Sequence, residues 1–331
     1  MCTWIIVVNY RTADLVIDSL RSLSGQIVDL KGGQVVVVDN ASGDGSVEKL
    51  GGAIDHAGWA AWANIMPMDR NGGFAFGNNA GIRAALAAPR PPDYILLLNP
   101  DTVARPAAIE ALISFMDVHP EVGIAGSRLQ NRGGGFDCTA HNVPSPLGEL
   151  DGGARLGILS RVLHRYVVTP PMRDLEHQCD WVSGASMVVR RQVFHEIGML
   201  DEGYFLYFEE ADFCCRAKTA GWQVWYVPQS VVLHLQGAST GIRSTKVRLA
   251  EYWYGSRLRF FIKHYGIGGL VLADILWTVG RATYLIRRAL QLGAQKEAQE
   301  PKWYTFDLLW CDFRAILNGQ ASAIRRAQER S

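Results

Sequence analysis

The sequence predicts an α/β fold, a mixed, mostly parallel sheet flanked by helices, followed by a C-terminal helical extension. Three observations predict it. "WIIVVNY" (4–10) and "QVVVVDN" (34–40) are continuous β-branched runs rather than alternating ones, as expected of strands covered on both faces. "TADLVIDSLRSL" between them has helical spacing, with Leu15, Leu20 and Leu23 apolar, which completes a β-α-β unit. From about 241 onward the chain reads mostly as helix.

The remaining elements follow in order. "SVEKLGG" (46–52) reads as a short helix closed by glycine, and "NGGFAFGNNAGIRAALAA" (71–88) as a Gly/Asn loop running into a helix. "DYILLLNPD" (93–101) is a further central strand, and "RPAAIEALISFMDVHP" (105–120) is a helix with proline near its start. "VGIAGSRL" (122–129) is a short strand. Residues 131–178 are rich in Gly, Pro and His with weak periodicity, which predicts a long loop region. Order resumes with a strand and helix in "CDWVSGASMVVRRQVFHEIG" (179–198), then "LDEGYFLYFEEADFCCRAKTAGW" (200–222) and a strand and turn in "QVWYVPQSVVLHLQG" (223–237). In the tail, "GIGGLVLADILWTVGRATYLIRRALQLG" (266–293) is strongly apolar but interrupted by Asp274 and Arg281. A spanning helix wants roughly 20 apolar residues without such charges, so an in-plane amphipathic helix or a core helix fits better.

Composition sets further bounds. The chain has 331 residues, 48% of them apolar and 20% charged, an ordinary globular balance with room for one large α/β domain or a domain plus an appendage. A net charge of +1 gives no indication of nucleic acid as partner. Cys2, Cys138, Cys179, Cys214, Cys215 and Cys311 form no CxxC pair, and their spacing fits neither a zinc site nor a disulfide framework. They read as reduced fillers in a reducing compartment. The apolar N-terminus lacks a basic n-region and a long h-region, so it reads as a strand rather than a signal peptide.

Four constellations could carry chemistry. Asn99-Pro100-Asp101 ends an apolar run, and ligands of open α/β sheets bind beyond the carboxyl ends of strands. Asp101 there would either hold a hard divalent cation or cap the helix that starts near Pro106. Asp39 and Asn40 end the second strand in the same way, Asp39 either accepting an N–H from a pyrimidine base or closing an Asx turn. Glycines 72, 73, 77 and 81 open a helix whose N–H groups would suit phosphate, although the loop is neither a Walker motif nor a clean GxGxxG. Glu209, Glu210 and Asp212 follow an aromatic run. Carboxylates so close raise one another's pKa, a device for a general acid or base, whereas a solvated helix N-terminus would also collect acids. The spacing of Asp212 and Arg216 suggests a structural pair on one helix face. His234, after "SVVL", becomes a ligand candidate only if Asp101 binds a metal.

Taken in order, "VVNY", "VVVDNASGDGS", "NGGFAFGNNAGI", "LLLNPDT", the long "WVSGASMVVRRQ…AKTAGW" segment and "LHLQGAS" resemble the family 2 glycosyltransferases of GT-A fold, particularly their rhamnosyltransferase-like branch, over roughly residues 3–265. The resemblance implies a nucleotide-sugar donor, inversion at the anomeric carbon, and Mg²⁺ or Mn²⁺. It implies that Asp39 reads the base, and that Asn9, Tyr10 and Arg11 line the nucleotide pocket. Asn71, Gly73, Phe74 and Asn79 would shape the wall around ribose and phosphates, and Trp181, Gly184 and Ala185 would lie near the donor sugar and acceptor. Asn99-Pro100-Asp101 corresponds to the short acidic metal motif with Asn in place of its first Asp, leaving Asp101 and His234 as the metal ligands. The family's Glu-Asp-x-Asp is Glu209-Glu210-Ala211-Asp212 here, which puts Glu210 at the base position, one methylene longer, with Glu209 and Asp212 as alternatives.

The resemblance further implies a GT-A catalytic domain over 1–240, with 1–130 as its nucleotide-binding half and 131–240 as its acceptor and catalytic half. A helical region over 241–331 follows, whose apolar, Arg-bearing helices (Arg281, Arg287, Arg288) either make peripheral contact with anionic lipid or simply pack. The favoured reaction moves L-rhamnose from dTDP-L-rhamnose to a hydroxyl of a cell-surface glycan or lipid-linked saccharide, in the cytoplasm or on the inner face of the cell membrane. A UDP- or GDP-sugar donor, and a non-catalytic nucleotide- or glycan-binding scaffold, are the alternatives, and homo-oligomerisation is left open. A nucleotidyltransferase would want a Gly-rich loop after the first strand, and "NYRTAD" has no glycine.

Overall fold

The computed structural model describes residues 1–27, 30, 32–235, 248–292 and 301–328. These form two compact units, one of residues 1–141, 171–205 and 209–241, the other of 142–170, 206–208 and 242–331. "QGAS" of the last family motif lies outside the described residues.

The first unit alternates strands and helices through its first half: β1 (Thr3–Asn9), α1 (Ala13–Leu23), β2 (Gln34–Asp39), α2 (Ser46–His56), β3 (Ala63–Pro67), α3 (Gly73–Leu86) and β4 (Tyr94–Leu98). Short β5 (Thr102–Ala104), α4 (Ala108–Val118), β6 (Val122–Gln130), β7 (Phe136–Asp137) and β8 (Ala140–His141) follow. The second unit contributes α5 (Pro146–Ala154) and α6 (Gly157–Val162). The chain then returns to the first unit with β9 (His177–Gln178), β10 (Trp181–Val182), β11 (Ser186–Arg190), α7 (Arg191–Ile197), α8 (Glu209–Thr219) and β12 (Gln223–His234). The described tail is α9 (Glu251–Ala289), α10 (Tyr304–Leu317) and α11 (Gln320–Gln328).

The main sheet runs β3-β2-β1-β4-β11-β6-β12-β5, with β11 and β5 antiparallel to their neighbours. Its central strands bury both faces. Ile5, Val7, Val35, Val37, Leu96 and Leu98 meet Leu20 of α1 and Leu112 of α4, whereas Ile6, Val36, Val38, Ile95 and Leu97 meet Ile82 of α3 and Phe213 of α8. Each such side chain contributes about 1.5–3 kcal/mol on burial, so the continuous apolar runs are what two covered faces require. The chain lays β2 and β3 on one side of β1 and then returns to place β4 on the other. That reversal opens a crevice at the carboxyl ends of β1 and β4, where Asn9 and Asn99 emerge.

Three local expectations are corrected. α2 runs through Gly51 and Gly52 to His56, because Leu50 and Ile54 are buried and their packing outweighs two glycines. α3 begins at Gly73 itself rather than after a loop. Residues 131–178 are not one long loop: α5 starts at a Ser145 cap whose hydroxyl accepts the Gly148 N–H, and α6 follows. β12 lies where the sequence places a strand, passing Pro228 by a register shift between Val227 and Val231.

The second unit is organised around Arg257 of α9, only 1% exposed, which reaches Glu149 of α5 (3.3 Å), Asp274 (3.1 Å) and Asp312 of α10 (2.7 Å). Asp274 therefore interrupts the apolar pattern to answer a buried arginine. α5 and α9 touch through glycines: a Cβ on Gly280 would lie 2.5 Å from the Leu150 carbonyl oxygen, and one on Gly153 2.7 Å from that of Trp277. A kink at Gly266 (φ 70°) separates the two segments of α9. Phe208 packs against Trp253 and Phe260 in the same unit.

Candidate active site

β1 and β2 are in parallel register, with Asn9 beside Asp39. The Asn9 amide donates to Asp39 Oδ1 (2.6 Å) and Ser42 Oγ (3.1 Å), and its carbonyl oxygen accepts from the Thr12 N–H and hydroxyl. Asp39 also accepts the Ser42 hydroxyl (2.6 Å) and backbone N–H (3.0 Å). This is the Asx turn that the sequence leaves as an alternative, and it buries Asn9 and Asp39 in a closed knot. Tyr10 and Arg11 are exposed at the rim. Arg11 adopts φ 57°, donates its backbone N–H to Ser42 Oγ and lays its guanidinium over the Tyr10 ring at 5.1 Å. Ser42 and Thr12 are missed in the sequence. The signals that could have found them are the three-residue offset of Ser42 from Asp39 and the position of Thr12 just before α1.

The glycine-rich segment is fixed by backbone approach. Asn71 Oδ1 accepts from the Gly73 N–H (3.0 Å) and from Asn40 Nδ2 (3.1 Å). Gly73 has φ +89°, and a Cβ there would stand 2.1 Å from the Phe205 carbonyl oxygen, so no other residue fits without movement. The next N–H, of Phe74, donates to that same oxygen at 2.7 Å. Asn79 does not join this wall. It is 2% exposed, and its side chain is spent on the backbone N–H and carbonyl of Leu200 and on Glu202.

At the end of β4, the Asn99 N–H donates to the carbonyl of Ala185, which is buried. His234 Nε2 lies 3.3 Å from Asp101 Oδ1 and 3.5 Å from Asn99 Nδ2. β5 pairs with β12 so that Thr102 stands opposite His234, and the Leu235 N–H donates to the Asp101 carbonyl. This pairing brings together residues 133 positions apart in sequence. Asp101 does not cap a helix, since α4 begins at Ala108 with Ala107 as its cap residue. It is 1% exposed, and neither carboxylate oxygen accepts a hydrogen bond. A buried carboxylate in that state is expensive unless a cation meets it. Asp101 and His234 form a two-donor set suited to a divalent ion that takes its other ligands from water and phosphate. Among the described residues no group of three or more His, Cys, Asp or Glu could hold a metal by itself.

α8 begins with the acidic run. Glu209 is buried and Glu210 half-buried, and their carboxyls are hydrogen-bonded to each other. Burial, then the Glu210 charge, pushes Glu209 well above the usual carboxylate range. Burial also raises Glu210, opposed by its own N–H, the Gly184 N–H and the Glu209 carboxyl. The physical reading is a shared proton that resides on Glu209, with Glu210 as the hydrogen-bonded anion. Asp212 is not a base candidate: it is fully buried and accepts Arg216 Nε at 2.9 Å, while that guanidinium also donates to the Ile197 and Met199 carbonyls. Gly184 lies between Phe74 and Glu210, a Cβ there meeting the Phe74 ring at 3.4 Å and Glu210 Cβ at 3.7 Å. Trp181 is half-buried and stacks on His141 with ring centroids 4.2 Å apart.

A mostly parallel sheet with a switch-point crevice, and at one strand end a buried aspartate that accepts no hydrogen bond and faces only His234, are the features of a GT-A-like fold. Residues 4–198 match the family model "Glycosyl transferase family 2", and the chain belongs to that family. The chain is 28% identical over 284 residues to an N-acetylglucosaminyl-diphospho-decaprenol L-rhamnosyltransferase of Mycobacterium tuberculosis, covering 78% of this chain and 87% of the relative. It is 29% identical over 219 residues to the low-salt glycan biosynthesis hexosyltransferase Agl10 of Haloferax volcanii, covering 65% of this chain and 61% of the relative. Among solved structures, the mannosyltransferase PcManGT from Pyrobaculum calidifontis in complex with GDP-Man and Mn²⁺ shares the fold, with TM-score 0.54 and 14% identity over 99% of this chain and 84% of the other.

Proposed function

We propose that this glycosyltransferase is an inverting, metal-dependent rhamnosyltransferase that uses dTDP-L-rhamnose and a hydroxyl of a lipid-linked or cell-surface saccharide. One observation carries the reading. The Gly184–Ala185 segment touches both halves of the chemistry: the Gly184 N–H is bonded to Glu210, and the Ala185 carbonyl accepts from Asn99, two residues before Asp101. The identity of the donor sugar is supported by the rhamnosyltransferase relatives.

Glu210 accepts the proton of the acceptor hydroxyl as that oxygen attacks the anomeric carbon from the face opposite the leaving diphosphate. The new C–O bond forms as the bond to the diphosphate breaks, so one displacement inverts the centre and no sugar–enzyme bond is needed. Glu209 keeps its own proton and holds the Glu210 carboxylate in position through their hydrogen bond. Phe74 and Gly184 give Glu210 an apolar side and a close backbone donor. Asp101 and His234 would hold Mg²⁺ or Mn²⁺, which supplies positive charge to a departing diphosphate. Tyr10 and Arg11 offer a ring face and a cation at the nucleotide end.

The test is a melting-temperature screen of dTDP, UDP and GDP sugars with Mn²⁺, with Mg²⁺ and with EDTA, followed by turnover of the sugar that stabilises most. Metal-dependent stabilisation by dTDP-L-rhamnose with transfer to a saccharide acceptor is expected. Preferential stabilisation by a UDP or GDP sugar replaces the donor. The absence of a shift with every nucleotide replaces the enzyme with a scaffold.

A further inference from the structure

The second unit presents an apolar surface that its own packing does not use. Beyond the kink at Gly266, α9 buries Leu270, Ala273, Trp277, Gly280 and Tyr284 inside the unit. Its opposite side repeats at helical spacing and is also apolar: Val271, Leu272, Ile275, Val279, Leu285 and Ile286 are exposed, Ile286 at 58%. α10 does the same. Leu308, Asp312 and Ala315 face inward, while Trp303, Phe306, Trp310, Phe313 and Leu317 form an exposed row in which Trp303 is 65% and Trp310 50% exposed. Neighbouring rings in that row are 6.1–6.4 Å apart, giving a nearly continuous aromatic strip. These eleven large apolar residues are 40–68% exposed, and contiguous apolar surface of this kind marks an interaction face.

Charge says what covers this surface. Residues 1–240 carry eighteen Lys and Arg against twenty-five Asp and Glu, a net −7, whereas 241–331 carry fifteen against seven, a net +8. The chain's near-neutral total hides this division. Exposed Arg288 borders the carboxyl end of the α9 strip and exposed Arg314 borders the aromatic row on α10, whereas Arg281 and Arg287 are half-buried, Arg281 over the Tyr284 ring and Arg287 donating to the Ala154 carbonyl. A groove of about 470 Å³ opens beside Phe306 and Trp310, and Arg248 and Arg314 line it.

We propose that these two helix faces dock in the plane of an anionic bilayer, with the aromatic row at headgroup depth and Arg288 and Arg314 on lipid phosphates. α9 is long and apolar enough to cross a membrane by length and composition. Its inner face, however, is closed against α5 through Gly153 and Gly280, and its Asp274 pairs with Arg257, so the helix lies on the surface rather than spanning it. A second copy of the chain is a poorer occupant, because a two-fold contact through these faces would bring two +8 segments together.

The test is co-sedimentation of the full chain with phosphatidylcholine vesicles and with vesicles in which about 30% of the lipid is phosphatidylglycerol. No donor is present, so the outcome is independent of the proposed transfer reaction. Binding to the anionic vesicles, weakened by salt and reduced about tenfold or more in Trp310→Glu/Phe313→Glu and in Ile275→Glu/Val279→Glu, is expected. Each variant is checked for an unchanged melting temperature. If either melts low, quenching of wild-type tryptophan fluorescence by brominated lipid replaces it as the readout. The absence of binding to anionic vesicles, or binding that neither variant weakens and no brominated lipid quenches, overturns the proposal. A concentration-dependent dimer lost in both variants, without vesicle binding, would assign the face to a second copy instead.

Discussion

Asp101→Asn separates what Asp101 does for stability from what it does for ligand binding. The carboxylate is 1% exposed with no hydrogen bond to either oxygen. Holding such an ion out of water costs several kcal/mol even after relaxation. Asparagine keeps the shape and removes the charge, but it still buries an amide that costs about 1–3 kcal/mol. The difference leaves the metal-free variant more stable than the wild type by about 1–2 kcal/mol, a rise in melting temperature of about 2–8 °C for a unit of this size. The assay is thermal unfolding in EDTA and then with Mn²⁺ and nucleotide. At a hundred times Kd the wild type should gain about 2.7 kcal/mol, and the variant little. A variant that melts below the wild type in EDTA, or that keeps the metal-dependent gain, would refute the view that Asp101 waits for a cation.

Glu210→Gln should lower turnover by about 10²–10⁴-fold with nucleotide-induced stabilisation unchanged, as read by initial rates and melting shifts on one preparation. Glu209→Gln should retain most activity, because glutamine imitates the protonated acid. Since the folded pKa of Glu209 is raised, its burial costs nothing below about pH 4.5 and more as pH rises above it, so this variant should gain stability over the wild type with increasing pH. Gly73→Ala should cost about 2–4 kcal/mol from a strained backbone and the contact with Phe205, read as a denaturant midpoint. Burial pushes Asp312 up from its ordinary 3.8 to about 8 against the opposing pull of Arg257. Its contribution to stability therefore falls between about pH 4 and pH 8, and Asp312→Asn should flatten melting temperature against pH across that window.

The parts of the fold legible in the sequence are those written locally. The runs at 4–10, 34–40 and 94–98 are β-branched or leucine-rich without alternation, and each is a central strand. Asp101 and Glu210 stand out because acids directly after apolar segments contradict a hydrophobic pattern. What was not legible depends on partners far along the chain. α5 reads as loop because its glycines are needed against α9, whose residues lie more than a hundred positions later. Asn79 follows a glycine motif in sequence, but it sits on the side of α3 that meets Leu200 and Glu202. Asp39 looks like an open acceptor, but Ser42 and Asn9 already occupy it. Asp212 could be read correctly because its partner is one helical turn away.

The joining of α5 to α9 and α10 through Arg257 bears on how the chain is made. Glu149 leaves the ribosome long before Arg257, and Asp312 emerges later still. At about 5–20 residues per second, α5 spends on the order of ten seconds with its glycine face and its carboxylate unmatched. During that interval a chaperone has a defined segment to hold. A chain cut after residue 241 would leave α5 permanently in that condition, so trimming the tail should reduce soluble yield even if every residue of the sheet remains.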